Sequence, residues 1–224
     1  MSLNKEAVEL NGIINRLLDN LSLSITSQTG REGMDLRHKI GNIRSNYNLM
    51  ISEGTFPTEL LSCFQATLTA NVKLASLFVV HHGLFKEIPI GVISSAIVQM
   101  GILFCLSTES RIIITMEFTS RDDVESMMNK MRDVFDVARL LAADAPDSTS
   151  YQKLTILAGN LISHLSDVAR PLPRMVTFAL AASFPSLTLS QRIYYTAERS
   201  DEIVAENKII HPAFCTREIR GLSG

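Results

Sequence analysis

Residues Ile88–Thr108 read IPIGVISSAIVQMGILFCLST, a stretch without a single charged residue. A run of about 20 apolar residues is long enough to cross a bilayer as a helix, so the reading of this stretch decides what surrounds it. Ser94, Ser95 and Gln99 stand near its middle and Pro89 close to its start. Lys86 and Glu87 precede it, and Glu109 and Arg111 follow it, so the flanks give no orientation bias. The neighbouring segments supply the deciding argument, because each is amphipathic and has an apolar face to bury. The stretch is therefore read as a central helix buried on all sides within a bundle, and a membrane is not expected as a partner.

Outward from there, Leu10, Ile13, Ile14, Leu17 and Leu18 follow an i, i+3, i+4, i+7, i+8 pattern that predicts a helix over 3–21. The polar, glycine-containing stretch 22–33 reads as a loop. Leu36, Ile40, Ile43, Tyr47 and Met50 predict a second helix over 34–52, ended by Gly54, with Pro57 in the first turn of the next. Residues 58–80 are helix-compatible, with Leu60, Leu61, Phe64, Leu68 and Val72 on one side. Residues 111–116, RIIITM, fit either a strand or a buried helical turn. Ser120-Arg-Asp-Asp123 places a hydroxyl cap and two acids at the positive end of a helix. That helix carries Val124, Met127, Met128, Met131, Phe135, Ala138 and Leu141 inward and stops near Asp144-Ala-Pro146. A further helix over 148–169 carries Leu154, Leu157, Leu161, Ile162 and Leu165.

Arg170-Pro-Leu-Pro-Arg174 then breaks the pattern as a stiff linker. Beyond it, 175–180 is β-compatible, 187–195 and 200–208 read as short helices, and 218–222 as a closing strand. The expected fold is mainly α: a helical bundle over 1–169, a proline linker over 170–174 and a small α+β module over 175–224. The chain length of 224 residues, ~1.5 domains by the usual prior, agrees with one domain plus a small second unit.

Composition excludes several classes. Lys+Arg 21 against Asp+Glu 23 leaves a net charge of −2, so no whole-chain electrostatic grip on nucleic acid is expected. A hydrophobic share of 46% supplies enough apolar surface to offset chain entropy and excludes disorder. The start, MSLNKEAVEL, shows no basic segment followed by an apolar run, and no secretion signal is expected. Cys63, Cys105 and Cys215 form no CxxC pair, which fits a reducing compartment. The first two lie in apolar surroundings and read as inert core thiols. Cys215, in a polar tail segment, reads as exposed and available for an intermolecular disulfide.

No P-loop, GxGxxG, GxSxG or HExxH occurs. His81 and His82 are adjacent, so on a helix they point about 100° apart and cannot readily share a metal. They read as exposed imidazoles at a helix end. Asp122, Asp123, Glu125, Lys130 and Arg132 read as a solvated face, as do Arg31, Arg37, Lys39 and Arg44. No catalytic residue, cofactor or metal site is expected.

Four stretches carry a family resemblance. They are 30–37 (GREGMDLR) with 43–46 (IRSN), then 118–123 (FTSRDD), then 172–176 (LPRMV), and last 192–195 (RIYY) through 199–207 (RSDEIVAEN) to 211–214 (HPAF). In this order they resemble the C-terminal half of the DNA circularisation (DNA circulation) proteins of Mu-like contractile-tailed phages. The resemblance implies a virion component of the tail tip or baseplate and not an enzyme, assembled in the host cytoplasm. Its partners would be hub, wedge, sheath or tube proteins, in copies repeated around the tail axis. DNA circularisation or injection is the activity after which the family is named.

The last module also resembles a LysM domain, whose layout is strand, helix, helix, strand. Tyr194-Tyr195 falls where that fold ends its first helix, Asn207 where it ends the second, and Pro212 in the loop that follows. The Pro-Gly usual before the final strand is replaced here by Cys215-Thr216-Arg217. LysM modules bind N-acetylglucosamine glycans in cell-wall enzymes and act as protein clamps in contractile tails. The resemblance implies a partner-binding set of Arg192, Tyr194, Tyr195, Arg199, Asp201, Asn207 and His211, for a protein clamp or, as the alternative, for peptidoglycan.

Overall fold

The computed structural model describes residues 2–25, 30–143 and 148–223. The middle of the expected loop at 22–33 and the expected stop at Asp144-Ala-Pro146 lie outside the described residues. The chain is mainly helical, a bundle followed by a small α+β module. It divides into two compact units: Met1–Met116 with Met131–Ile162, and Glu117–Lys130 with Ser163–Gly224.

The first unit is built on α1 (Ser2–Ser24), α2 (Arg31–Glu53), α3 (Phe56–Thr69), α4 (Leu74–Phe85) and α5 (Val92–Ile114). The stripes read from the sequence are the buried faces: Ile13, Ile14, Leu17 and Leu18 on α1, and Leu36, Ile40 and Ile43 on α2, are at most 4% exposed. Helix α2 ends at Gly54, whose φ of 74° is the left-handed conformation that glycine adopts without a Cβ clash. Pro57 lies in the first turn of α3, where its missing N–H costs nothing.

The helix expected over 58–80 is two helices. The break falls at Asn71, with φ of 50°, a left-handed position that asparagine tolerates. The Asn71 and Val72 N–H groups turn back to the Leu68 and Thr67 carbonyls at 3.1 Å each. No glycine or proline marks the spot, so residue type alone gave no warning.

Helix α5 packs against α1, α3 and α4. Gly101 makes this close approach possible, since a Cβ there would sit 3.3 Å from both Leu84 methyl carbons. The reading of α5 as buried on all sides fails: its start is exposed and, in its middle, Met100, Leu103 and Phe104 are only half-buried. Ile97, Val98, Ile102, Cys105, Leu106 and Ile113 are buried, but Ile88, Ile90, Val92 and Ile93 are 87%, 91%, 80% and 54% exposed. The helix begins at Val92 because Pro89 and Gly91 precede it, and it runs on to Ile114, so 111–116 is a helix end and not a strand.

Helices α6 (Arg121–Ala143) and α7 (Ser148–Ala169) each run from one unit into the other. They bury Val124, Met131, Phe135 and Ala138, and Leu154, Leu161 and Leu165. Ser120 caps α6: its Oγ accepts the Asp123 N–H at 3.1 Å and donates to the Asp123 carboxylate at 2.7 Å.

In the second unit, β1 (Met175–Ala179) pairs antiparallel with β2 (Glu218–Leu222), Met175 opposite Leu222 and Ala179 opposite Glu218. Between them come α8 (Ser186–Tyr194) and α9 (Ser200–Glu206). A two-stranded sheet is marginal alone. Here it closes over a core of Leu189, Ile203, Cys215 and Ile219, flanked by Phe178, Phe184, Ile193 and Tyr194.

The proline segment is not a free linker. The Pro173 carbonyl accepts the Arg121 N–H at 2.9 Å, and the Met175 N–H donates to the Asp122 carboxylate at 2.6 Å. Asp122 is therefore more than part of a solvated face, and the module takes in the start of α6 and the end of α7.

Candidate functional site

The residues implied as a partner-binding set all lie on α8, α9 and the turns that follow them, and the structure divides them into two groups. Tyr194, Arg199 and Asn207 hold the module together. The Arg199 guanidinium lies 3.7 Å from the centre of the Tyr194 ring and pairs with both Glu202 carboxylate oxygens at 2.8 Å. That pairing raises the Arg199 pKa. Burial raises the Tyr194 pKa, with Glu202 adding to the effect. Gly221 leaves room for the Tyr194 hydroxyl, which would collide with a Cβ at that position.

Asn207 commits its whole side chain to the fold. Nδ2 donates to the Ile203 carbonyl at 2.9 Å and to the Arg220 carbonyl at 2.8 Å, and Oδ1 accepts the Arg220 N–H at 2.7 Å. This amide fastens the end of α9 to β2. A contact through Asn207 to any partner would have to give up these bonds.

Arg192, Tyr195, Asp201 and His211 are exposed. Tyr195 is 87% exposed and ends α8 in the left-handed conformation, with φ of 58°. Arg192 lies over the Phe184 ring at 4.2 Å, with one face of its guanidinium covered and the rest free to bond. Exposed apolar side chains stand on the same module: Leu187, Ile210 and Phe214 at 58%, 91% and 75%. The loops that bear them are laced together by backbone bonds, Ser186 N–H to the Pro212 carbonyl at 2.7 Å and Cys215 N–H to the Phe184 carbonyl at 3.1 Å.

Cys215 corrects the sequence reading. It is 1% exposed and part of the module core, where its thiol donates to the Pro212 carbonyl at 3.8 Å and burial raises its pKa. The polar neighbours that suggested exposure, Thr216 and Arg217, point outward while Cys215 turns in. An intermolecular disulfide through Cys215 is excluded unless the module opens.

His81 is a second correction. His82 is exposed, but His81 is 5% exposed, its Nδ1 2.7 Å from Glu109 Oε1. The same carboxylate oxygen accepts the Cys105 thiol at 3.5 Å, and Phe78 and Phe85 pack on the imidazole with ring centres 5.4 and 5.1 Å away. Sequence reasoning missed this cluster. The signal was present in the spacing: His81 continues the stripe of Leu77, Val80 and Leu84, and Glu109 the stripe of Ile102, Cys105 and Ile113.

A cysteine, a histidine and a carboxylate invite comparison with a nucleophilic triad, and the physics argues against one. Burial pushes the Cys105 thiol well up, and the Glu109 charge pushes it further. Activation requires the opposite, a stabilised thiolate in reach of solvent. The cluster instead joins α4 to α5 inside the bundle. Cys63 is also a buried thiol, pushed up to about 12 by desolvation.

Among the described residues, no three His, Cys, Asp or Glu side chains gather as a metal site would require. No protein-family model matches the chain, and a search of curated proteins finds no match.

Proposed function

We propose that this chain is a structural protein of a contractile phage tail, a baseplate or tail-tip component that clamps hub to wedge or sheath parts. The observation that carries the reading is the strand–helix–helix–strand module with its own closed core, the layout implied by the LysM resemblance. Tyr194, Arg199 and Asn207 stabilise that module, while Arg192, Tyr195, Asp201 and His211 are presented to solvent beside exposed Leu187, Ile210 and Phe214. A rigid surface that mixes aromatic, arginine and aliphatic side chains suits a protein interface.

In this reading the chain binds and performs no reaction. The bundle engages one neighbour and the module another, each contact raising the effective concentration for the other. Repetition around the tail axis multiplies the gain. The protein resides in the virion, after assembly in the host cytoplasm.

Mass spectrometry of purified tails tests the proposal. The expected result is stoichiometric presence in intact particles, with loss of complete tails on deletion of the gene. Normal tails assembling without the protein would overturn it. Sedimentation of the purified chain with insoluble peptidoglycan, abolished by Tyr195→Ala, would favour a wall-binding accessory instead.

A further inference from the structure

The two outer edges of the module's sheet are finished differently. The Arg174 carbonyl accepts the Ser223 N–H at 2.7 Å, and the Leu180 N–H donates to the Arg217 carbonyl at 2.6 Å. Ladder bonds in an antiparallel pair alternate along each strand. Val176 and Phe178 therefore also bond to β2, while the N–H and C=O groups of Met175, Thr177 and Ala179 point away from it. On β2 the outward groups are those of Glu218, Arg220 and Leu222.

Side chains close the β2 edge. Asn207 takes the Arg220 N–H and carbonyl at 2.7 and 2.8 Å, and the Thr216 hydroxyl donates to the Glu218 carbonyl at 2.6 Å. On β1 the Asp122 carboxylate takes the Met175 N–H at 2.6 Å. Beyond it the edge is open. Among the described residues nothing meets the N–H or C=O of Thr177 or Ala179, and both residues are exposed. Two donors and two acceptors thus face solvent at ladder spacing.

An open edge is a template for another strand, and proteins protect such edges with charge or proline. Pro173 stands just before β1, but residues 175–184 (MVTFALAASF) carry no charge.

Any extended strand can satisfy the four free groups, so the side chains select among strands. Val176, Phe178 and Leu180 share the face turned to the module core, where Phe178 and Leu180 pack and Val176 is 38% exposed. The occupant has to continue that apolar face at three alternate positions, keep its other face small, and end before it reaches Asp122. A second copy of β1 meets all three conditions. Run antiparallel about a two-fold axis at Phe178, the copies set Thr177 opposite Ala179 twice and exchange all four bonds. Phe178 then meets its counterpart, and Val176 meets Leu180 twice, cross-strand pairs that stabilise a sheet. Asp122 falls opposite Ala181, where β1 has already ended.

We propose that the free edge of β1 is a dimer interface, at which two copies of this chain pair β1 to β1 antiparallel and join their sheets into one of four strands. The contact is isologous, as a two-fold interface requires. It depends on the module's free edge alone and stands whether or not the chain belongs to a phage tail.

So short an edge makes a weak dimer, and sedimentation velocity of the full chain from about 1 μM to about 1 mM covers the range in which it forms. The expected result is a concentration-dependent dimer in which the Thr177 and Ala179 amides exchange more slowly with deuterium. Thr177→Pro removes an N–H that β2 does not use and should abolish the dimer. Replacing both Thr177 and Ala179 by Lys sets like charges opposite each other twice and should weaken association about tenfold. Replacing both by Glu should do the same, and an equal mixture of the Lys and Glu chains should restore association. All variants should keep the wild-type circular dichroism, and the charge exchange decides the matter even where the proline variant fails to fold. A chain that stays monomeric throughout, a dimer that survives Thr177→Pro, or Lys and Glu chains that associate no better mixed than apart would overturn the proposal.

Discussion

The bundle and the C-terminal module solve the same problem, holding helices against their neighbours, with polar groups used in opposite ways. In the bundle, one ionisable pair, His81 and Glu109, sits in the interior between α4 and α5, at 5% and 0% exposure. In the module, the four-residue core is too small to do the work alone, and Asn207 and the Tyr194–Arg199–Glu202 stack fasten the elements from the half-exposed side. A large core tolerates a buried ionisable pair because packing around it supplies the stability. A small one relies on hydrogen bonds that water can partly replace, so each loss there is milder.

The strongest test of this contrast is Glu109→Ala. Removing Glu109 leaves the buried His81 imidazole without its hydrogen-bond partner and opens a cavity, at a cost of about 3 kcal/mol or more, read as a fall in the urea midpoint. The double replacement His81→Phe with Glu109→Met should recover most of that loss. A single variant within 1 kcal/mol of wild type would mean the pair is wet.

Cys63 gives the next effect. Its folded pKa of about 12 lies above the ordinary value of 9.0, so the folded chain holds this proton longer than the unfolded one. The contribution is fully present below pH 9 and declines by about 1.4 kcal/mol per pH unit as pH rises toward 12. Cys63→Ala should flatten the alkaline limb of a stability-versus-pH profile, and an unchanged slope would show that the thiol is not the group responsible.

In the module, Asn207→Ala removes three hydrogen bonds at about 0.5–1.5 kcal/mol each, a loss of about 1.5–4.5 kcal/mol. The Arg220 amide should exchange correspondingly faster with deuterium. Equal protection in the variant would move the fastening elsewhere. The smallest effect is expected from Ser120→Ala, which loses the α6 cap at about 1 kcal/mol and should lower the thermal midpoint by a few degrees.

Much of the fold was legible in the sequence, because regular periodicity and strong end signals carry it. The stripes of α1 and α2, the Gly54 stop, the Ser120 cap and the order of elements from β1 to β2 follow from residue type and spacing. What escaped were features set by long-range packing. Asn71 breaks a helix without glycine or proline. Glu109 looks like a flanking charge until α4 places His81 against it. Cys215 sits among polar neighbours, yet the turn at His211–Phe214 rotates it inward. In the candidate site, spacing located the residues of the module but did not separate those that build it from those that face solvent. That division depends on Arg220 and Glu202, partners read only in three dimensions.

The bonds from Arg121 and Asp122 to the proline segment have a consequence for inheritance. A unit drawn from two separated stretches, 117–130 and 163–224, cannot pass between genes without carrying 131–162 with it. A crossover anywhere in the intervening codons would join an α6 start from one parent to a strand from another. Where Asp122 lacked its counterpart, the Met175 amide would lose its acceptor. Exchange among related genes should therefore spare this interval or keep both flanks from the same ancestor.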